Sequence, residues 1–325
     1  MPKVSVIIPV CNVERYIERC ARSLFQQSLD DIEFIFVDDC YPDKSIFIVK
    51  KVLEEFPNRE SQTHFIRMPQ NSGTGAVRRR GQEVATGDYI IHCDSDDWVD
   101  TDYYRELYTV AQKTNADIVV SDFKREYASK SVTINCSPSS NPKDSIKRMP
   151  QESFYCMLWN KLIRRQILSK YNITTSPGID MWEDVAVTLK SFYYANRVSK
   201  ASGVYYHYRI NPNSYTVNSG NEKSYRQRCL CISELTDFFY AKEEDWTVLL
   251  DYWKMLAKSF LLCPGNFNPS RWKKEYPEAI RNLTEMTSFS KRDQHMMSLA
   301  NESPLIATIY AIPSILKYNI KRLIK

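Results

Sequence analysis

The sequence predicts an α/β protein: a mostly parallel central sheet with helices on both faces, followed by a mainly helical C-terminal region. Three observations predict it. Short β-branched apolar runs alternate with amphipathic segments over the first third of the chain. Acidic and polar residues collect where those runs end, which is where an open α/β sheet holds its ligand. Beyond residue 222 the periodicity is helical and no run reads as a strand.

The elements follow in order. Val4–Val10 is an apolar run suited to a strand covered on both faces. Residues 14–28 repeat apolar positions at helical spacing (Tyr16, Ile17, Cys20, Leu24, Phe25), and residues 43–56 do the same with Ile46, Val49, Val52, Leu53 and Phe56. Glu33–Val37, His64–Met68, Tyr89–Cys93 and Asp117–Ser121 are the next expected strands, and 74–86 and 102–114 the next helices. Residues 128–150, rich in Ser, Lys, Pro and Asn, read as a loop. Helices are expected over 154–171 and 183–196, a tyrosine-rich strand over Gly203–Ile210, and a polar loop over 211–221. This reading divides the chain at 1–122, 123–221 and 222–325.

Composition narrows the class. With 43% hydrophobic and 26% charged residues in 325, the chain has the make-up of an ordinary folded protein. A net charge of +5, from 44 basic and 39 acidic residues, is too balanced to point to nucleic acid and suits anionic ligands such as nucleotide diphosphates or a phospholipid surface. The nine cysteines show no CxxC spacing and read as reduced thiols of a cytoplasmic protein rather than a zinc site. The first apolar run is short, is interrupted by Pro9, and reads as a strand rather than a signal peptide. No stretch approaches the ~20 apolar residues of a membrane-spanning helix.

Chemistry concentrates in a few segments. Asp94-Ser95-Asp96-Asp97 gathers carboxylates at a strand end, where they repel unless a cation or hydrogen-bond donors neutralise them. Hard divalent cations take such oxygen ligands, and in extended backbone Asp94 and Asp96 share one side. The plainer alternative is a solvated loop or helix cap. Asp38-Asp39 ends a second strand, where a carboxylate can accept hydrogen bonds from a nucleoside; Asp43 reads as turn chemistry. Asn71-Ser-Gly-Thr-Gly75 leads into Arg78-Arg79-Arg80, a small-residue loop and basic helix start able to approach phosphates. Glu183-Asp184 opens a helix, either as dipole partners or as a general base.

Taken in order, these segments resemble a family 2 glycosyltransferase with the Rossmann-like GT-A fold, of the bacterial polysaccharide type. The resemblance rests on Val4-Ser-Val-Ile-Ile-Pro-Val-Cys-Asn12, Phe36-Val-Asp-Asp39, Asn71-Ser-Gly-Thr-Gly-Ala-Val-Arg78 and Ala85-Thr-Gly-Asp-Tyr-Ile-Ile-His-Cys-Asp-Ser-Asp-Asp-Trp98. Trp159-Asn-Lys-Leu-Ile-Arg-Arg165, Glu183-Asp-Val185, and Tyr205-Tyr-His-Tyr-Arg209 with Ser214 complete it. Departures fall at Cys11, Cys40-Tyr41 and Arg79, around the nucleoside and diphosphate pockets.

The resemblance implies an inverting, metal-dependent transfer of a sugar from a nucleotide diphosphate, here a UDP-sugar, to a hydroxyl of a saccharide or lipid-linked saccharide. It implies Asp184 as general base with Glu183 in support. It implies Pro9, Val10, Asn12, Glu14, Asp39, Arg78, Asp94, Ser95, Arg209 and Ser214 on the donor, and Trp159, Asn160 and Lys161 on the acceptor. Mn2+ or Mg2+ would lie on Asp96, Asp94 and His207. A nucleotidyltransferase would want a Gly-rich loop after the first strand, and Pro9-Val-Cys-Asn-Val13 has none; a catalytically inactive sugar-nucleotide-binding homologue is the other alternative. Residues 304–325 carry Lys317, Lys321, Arg322 and Lys325 and no acidic residue, with Ile315, Leu316, Ile320, Leu323 and Ile324 at roughly helical spacing. Such a helix either packs on the protein's own core or lies peripherally at the inner face of the cell membrane.

Overall fold

The sheet grows from runs that are apolar on both sides. The computed structural model describes residues 1–151, 156–211 and 220–323, with side chains through Ile320. The chain folds as two compact units: Met1–Ile146 with Phe154–Pro212, and Lys147–Ser153 with Asn213–Lys325.

In the first unit, β1 (Val4–Val10) is buried at every position but Pro9, as a strand covered on both faces must be. Helix α1 (Ile17–Phe25) follows, then β2 (Ile32–Asp38), α2 (Ser45–Leu53), β3 (Thr63–Arg67), α3 (Thr74–Val84) and β4 (Tyr89–His92). β1 pairs in parallel with β2 and β4, and β2 in parallel with β3. A two-residue β5 (Trp98–Val99) precedes α4 (Tyr103–Thr114), β6 (Ile118–Glu126), β7 (Ser131–Ile134), α5 (Pro142–Arg148), β8 (Lys161–Arg164), α6 (Arg165–Lys170), α7 (Glu183–Tyr194) and β9 (Val198–Arg209). The strand order is β3-β2-β1-β4-β8-β6-β9-β5, with β7 on β6. β8 runs antiparallel to β4 and β6, whereas β6 and β9 are parallel. This is the expected mostly parallel α/β sheet, with an antiparallel insertion.

Two expectations fail locally. The 128–150 stretch contains β7, paired antiparallel with β6, and α5. The helix expected over 154–171 is broken by β8, whose Leu162 and Ile163 are both buried. Leu158, Trp159, Leu162 and Ile163 recur at helical spacing, but the gap between β4 and β6 takes them as a strand and its flank. All nine cysteines are free.

The second unit is helical among its described residues: α8 (Glu222–Tyr240), α9 (Thr247–Lys258), α10 (Pro269–Lys274), α11 (Lys291–Glu302) and α12 (Pro304–Leu323), joined by 3₁₀ turns. Its core gathers Phe239, Trp246, Trp253, Met255 and Trp272. Side-chain caps set helix starts: Asn221 accepts from Ser224 N, Asn268 from Arg271 N, and Ser290 with Asp293 forms a capping box. No helix among the described residues is long and apolar enough to cross a membrane.

Candidate active site

The site forms where β1, β2 and β4 end. Val10 lies in register with Asp38, and its carbonyl accepts from Asp39 N at 3.0 Å. The chain then turns through left-handed Asn12 (φ 54°) and Cys40 (φ 55°). Asp39 is buried, and its two oxygens accept from Ser72 N at 2.7 Å and Gly73 N at 3.1 Å. Burial pushes its carboxyl up, against the pull of those amides. Asp39 thereby pins the 71–75 loop over the strand ends. Asp43 accepts from Val13 N, Ser45 N and the Ser45 hydroxyl, as turn chemistry requires, and Glu14 accepts from Lys44 N.

The same loop meets the segment before α7. Gly75 N donates to Asp180 Oδ1 at 3.2 Å, and a Cβ on Gly75 would stand 2.3 Å from the Ile179 carbonyl oxygen. A backbone carbonyl cannot swing aside as a side chain can. Gly75→Ala is therefore expected to destabilise the chain by about 1–3 kcal/mol, an overpacking cost. Urea denaturation measures it, and an unchanged midpoint would mean that the 175–180 segment yields freely.

That close approach brings α3 to α7. Arg78, 6% exposed, donates from Nη2 to Asp94 Oδ1 at 2.7 Å, and its Nε lies 3.4 Å from Glu183 Oε1. Burial alone would lower its pKa, but Asp94, Glu183 and Asp184 outweigh it and raise it. Its Nη1 has no hydrogen-bond partner among the described residues, and neither has Nδ1 of buried His92. Burial and then Arg78 push the His92 pKa well down, so this imidazole is neutral. Glu183 and Asp184 open α7 after left-handed Trp182 (φ 69°). Burial raises both carboxyls, and for Glu183 its neighbour Asp184 adds to the rise. One guanidinium thus serves several carboxylates in a poorly hydrated pocket.

Asp94–Asp97 is a tight turn rather than extended backbone: Asp97 N donates to Asp94 O at 3.1 Å. The expected alternation of Asp94 and Asp96 therefore does not hold as argued, although the Asp94 charge still reaches Asp96. Burial and then Asp94 push the Asp96 carboxyl up to about 6. Asp97 is 1% exposed and fully engaged, accepting from Tyr206 Oη at 2.7 Å and Arg209 N at 2.7 Å. Tyr206 Oη also accepts from Asp94 N at 3.0 Å, so one phenol clamps the acidic turn to β9. Ser95 is buried within that turn. Asp94 and Asp96 offer oxygens only, a donor set suited to a hard cation that completes its shell with substrate oxygens. Among the described residues, no group of three or more His, Cys, Asp or Glu side chains is gathered for a metal.

His207 requires a correction. Its Nδ1 lies 2.7 Å from Glu126 Oε1, its Nε2 2.9 Å from Asp100 Oδ1, and its ring stacks on Trp98. Both nitrogens face the Glu126 and Asp100 carboxylates, so in this structure neither is turned to Asp94 or Asp96. Along β9 it points away from the face that carries Tyr206. Arg209 donates from Nε to Asp96 O at 3.0 Å and lies 5.0 Å over both the Tyr16 and Trp98 rings. With Arg19, stacked 3.3 Å over Trp98, these residues line a cleft of about 390 Å³. Ser214 lies outside the described residues.

Trp159, Asn160 and Lys161 are all buried. Trp159 stacks on Tyr206 with centroids 4.3 Å apart. Asn160 donates to Ser121 O at 3.2 Å and accepts from Lys161 Nζ at 2.9 Å, while Lys161 Nζ also donates to Met157 O at 2.6 Å. Burial pushes the Lys161 pKa down to about 8, and its charge in turn lowers that of Asp184. In this structure none of the three offers an open surface. Asp180 pins the 71–75 loop and Tyr206 clamps the acidic turn; no local pattern gives these pairings, because their partners, Gly75 and Asp97, are remote in sequence.

The model of the family described as Glycosyl transferase family 2 matches residues 5–171. The chain belongs to this family. An uncharacterized glycosyltransferase of Bacillus subtilis, EpsJ, is 31% identical over 223 residues, 66% of this chain and 63% of its own length. The putative glycosyltransferase EpsH of the same organism is 30% identical over 292 residues, 87% of this chain and 82% of its own. The chain therefore spans just under two thirds of the length of the first of these relatives. The crystal structure of residues 1–349 of Staphylococcus aureus TarS in complex with UDP-GlcNAc superimposes with a TM-score of 0.63 at 20% identity, over 94% of this chain and 89% of that one. That likeness places the fold within GT-A.

Proposed function

We propose that the protein is an inverting glycosyltransferase that moves a sugar from a UDP-sugar to a hydroxyl of a saccharide or lipid-linked saccharide in cell-surface polysaccharide synthesis. The observation that carries the reading is the Arg78 cluster. It joins Glu183, the neighbour of the candidate base Asp184 at the start of α7, to Asp94 in the acidic turn after β4, so the two ends of a displacement lie on one buried guanidinium. Family membership supports the reaction class, and UDP-GlcNAc in TarS supports the donor class.

The acceptor oxygen attacks the anomeric carbon as its proton passes to Asp184. The bond to the diphosphate breaks on the opposite side, and the electron pair leaves with the nucleoside diphosphate. Asp39, Asn12, Pro9, Val10 and Glu14, in the 1–122 half, serve the nucleoside side. Arg78 and Arg209 set fixed positive charge toward the diphosphate, with Ser95 and Ser214 beside it. The 123–221 half serves the acceptor, with Trp159, Asn160 and Lys161 on that side and the Lys161 charge acting on Asp184. Asp96 and Asp94 would hold Mn2+ or Mg2+ with diphosphate oxygens, and that ion would neutralise charge on the leaving group.

Asp184 must be ionised to take the proton. Burial, opposed by Arg78 and Lys161, pushes its carboxyl up to about 6. A raised base pKa means that activity is present above it and lost as pH falls through it. The acid limb of kcat/KM is expected near pH 6, and a limb near 4, the ordinary aspartate position, would remove Asp184 from the role. The function itself is tested with a panel of nucleotide sugars and manganese, following released nucleoside diphosphate with and without saccharide acceptors. Release from none of them sinks the reading.

A further inference from the structure

Helix α12 is packed the wrong way round for a soluble protein. The side chains it buries are small: Ala307 is fully buried and Ala311 is 3% exposed. Against them lie α10 and α11, and Arg292 Nη2 donates to Ser314 Oγ at 2.8 Å. Among the described side chains, large aliphatic ones face out: Leu305 is 72% exposed, Ile309 60%, Leu316 57% and Ile320 55%, with Ile312 also exposed and Ile315 half-buried. The exposed positions fall on one stripe of about 80° of the helix surface, opposite the alanines. Ile306 and Tyr310, also exposed, widen it on one side. A contiguous apolar stripe of this kind marks an interaction surface.

The charge on the segment selects the occupant. Residues 304–325 contain Lys317, Lys321, Arg322 and Lys325 and no Asp or Glu. A second copy of α12 laid on this stripe would bring like charges together with no acidic residue to answer them, and Pro313 interrupts the seam a helix pair would need. An anionic bilayer surface meets both halves: headgroups take the basic residues, and the acyl boundary takes the leucine and isoleucines. We infer that α12 is a membrane-interface helix that lies in the plane of an anionic lipid surface. The inference does not depend on the proposed reaction, although a lipid-linked acceptor would gain from it.

Flotation of the full chain with vesicles tests it. The wild-type protein is expected to float with phosphatidylcholine–phosphatidylglycerol vesicles, weakly with phosphatidylcholine alone, and less as salt rises. Ile309→Gln/Leu316→Gln should lose at least about tenfold in partition, since two large side chains no longer enter the acyl boundary. Lys317→Gln/Lys321→Gln should lose about 25-fold, at about fivefold for each basic residue. Thermal melting of Ile309→Gln/Leu316→Gln should match wild type, because both side chains are exposed and build no core. Absence of vesicle binding, or binding that neither variant weakens, overturns the inference. So does a dimer in sedimentation that Ile309→Gln/Leu316→Gln dissolves while vesicles are ignored, which would make a second copy the occupant.

Discussion

Asp96→Asn is expected to lower donor turnover by about 10³-fold without loss of stability. The two aspartates that end the acidic turn have different work. Asp97 is buried and holds Tyr206 and the Arg209 amide, so its loss would unlock the turn. Asp96 makes its tie to Arg209 through its backbone carbonyl, which the substitution leaves in place. Its carboxyl is pushed up to about 6 by burial and by Asp94. A neutral amide at that position relieves repulsion, so the thermal midpoint should hold or rise. The loss falls instead on the oxygen ligand offered to a divalent ion. Turnover equal to wild type with the same metal dependence would end the assignment.

Asp184→Asn is expected to keep donor affinity and lose transfer by on the order of 10²–10⁴-fold. The amide is nearly isosteric and cannot accept the acceptor's proton. Arg78 is tied to Asp94 and Glu183 rather than directly to Asp184, so the diphosphate-side arrangement should survive. Calorimetry with the nucleotide sugar reads the first part, and kcat with a saturating saccharide acceptor reads the second. If donor affinity collapses while kcat persists, Asp184 binds donor and the base lies elsewhere.

Much of this architecture was legible in local pattern. The Val4–Val10 run, the apolar faces of 14–28 and 43–56, and the aspartates after β2 and β4 locate the parallel core and its ligand edge, because burial on both faces leaves a continuous apolar signature. The ordered segments from Val4 to Arg209 also carried the family. Where local pattern misled, the neighbours decided. Lys161–Arg164 reads as helix alone and becomes a strand because a slot lies open between β4 and β6. His207 looks like a metal ligand until Asp100 and Glu126 are brought to its two nitrogens from other strand ends.

The chain alone therefore determined the α/β class, the acidic strand ends and the amphipathic make-up of its last helix, since each is a periodicity or a composition within one segment. Tertiary structure alone decided that Gly75 meets Asp180, that Arg78 links Asp94 to Glu183, that Tyr206 clamps the acidic turn, and that α12 turns its aliphatic stripe outward. Such facts are pairings between residues far apart in sequence. Their energies depend on distance and burial, and neither quantity exists until the elements have packed.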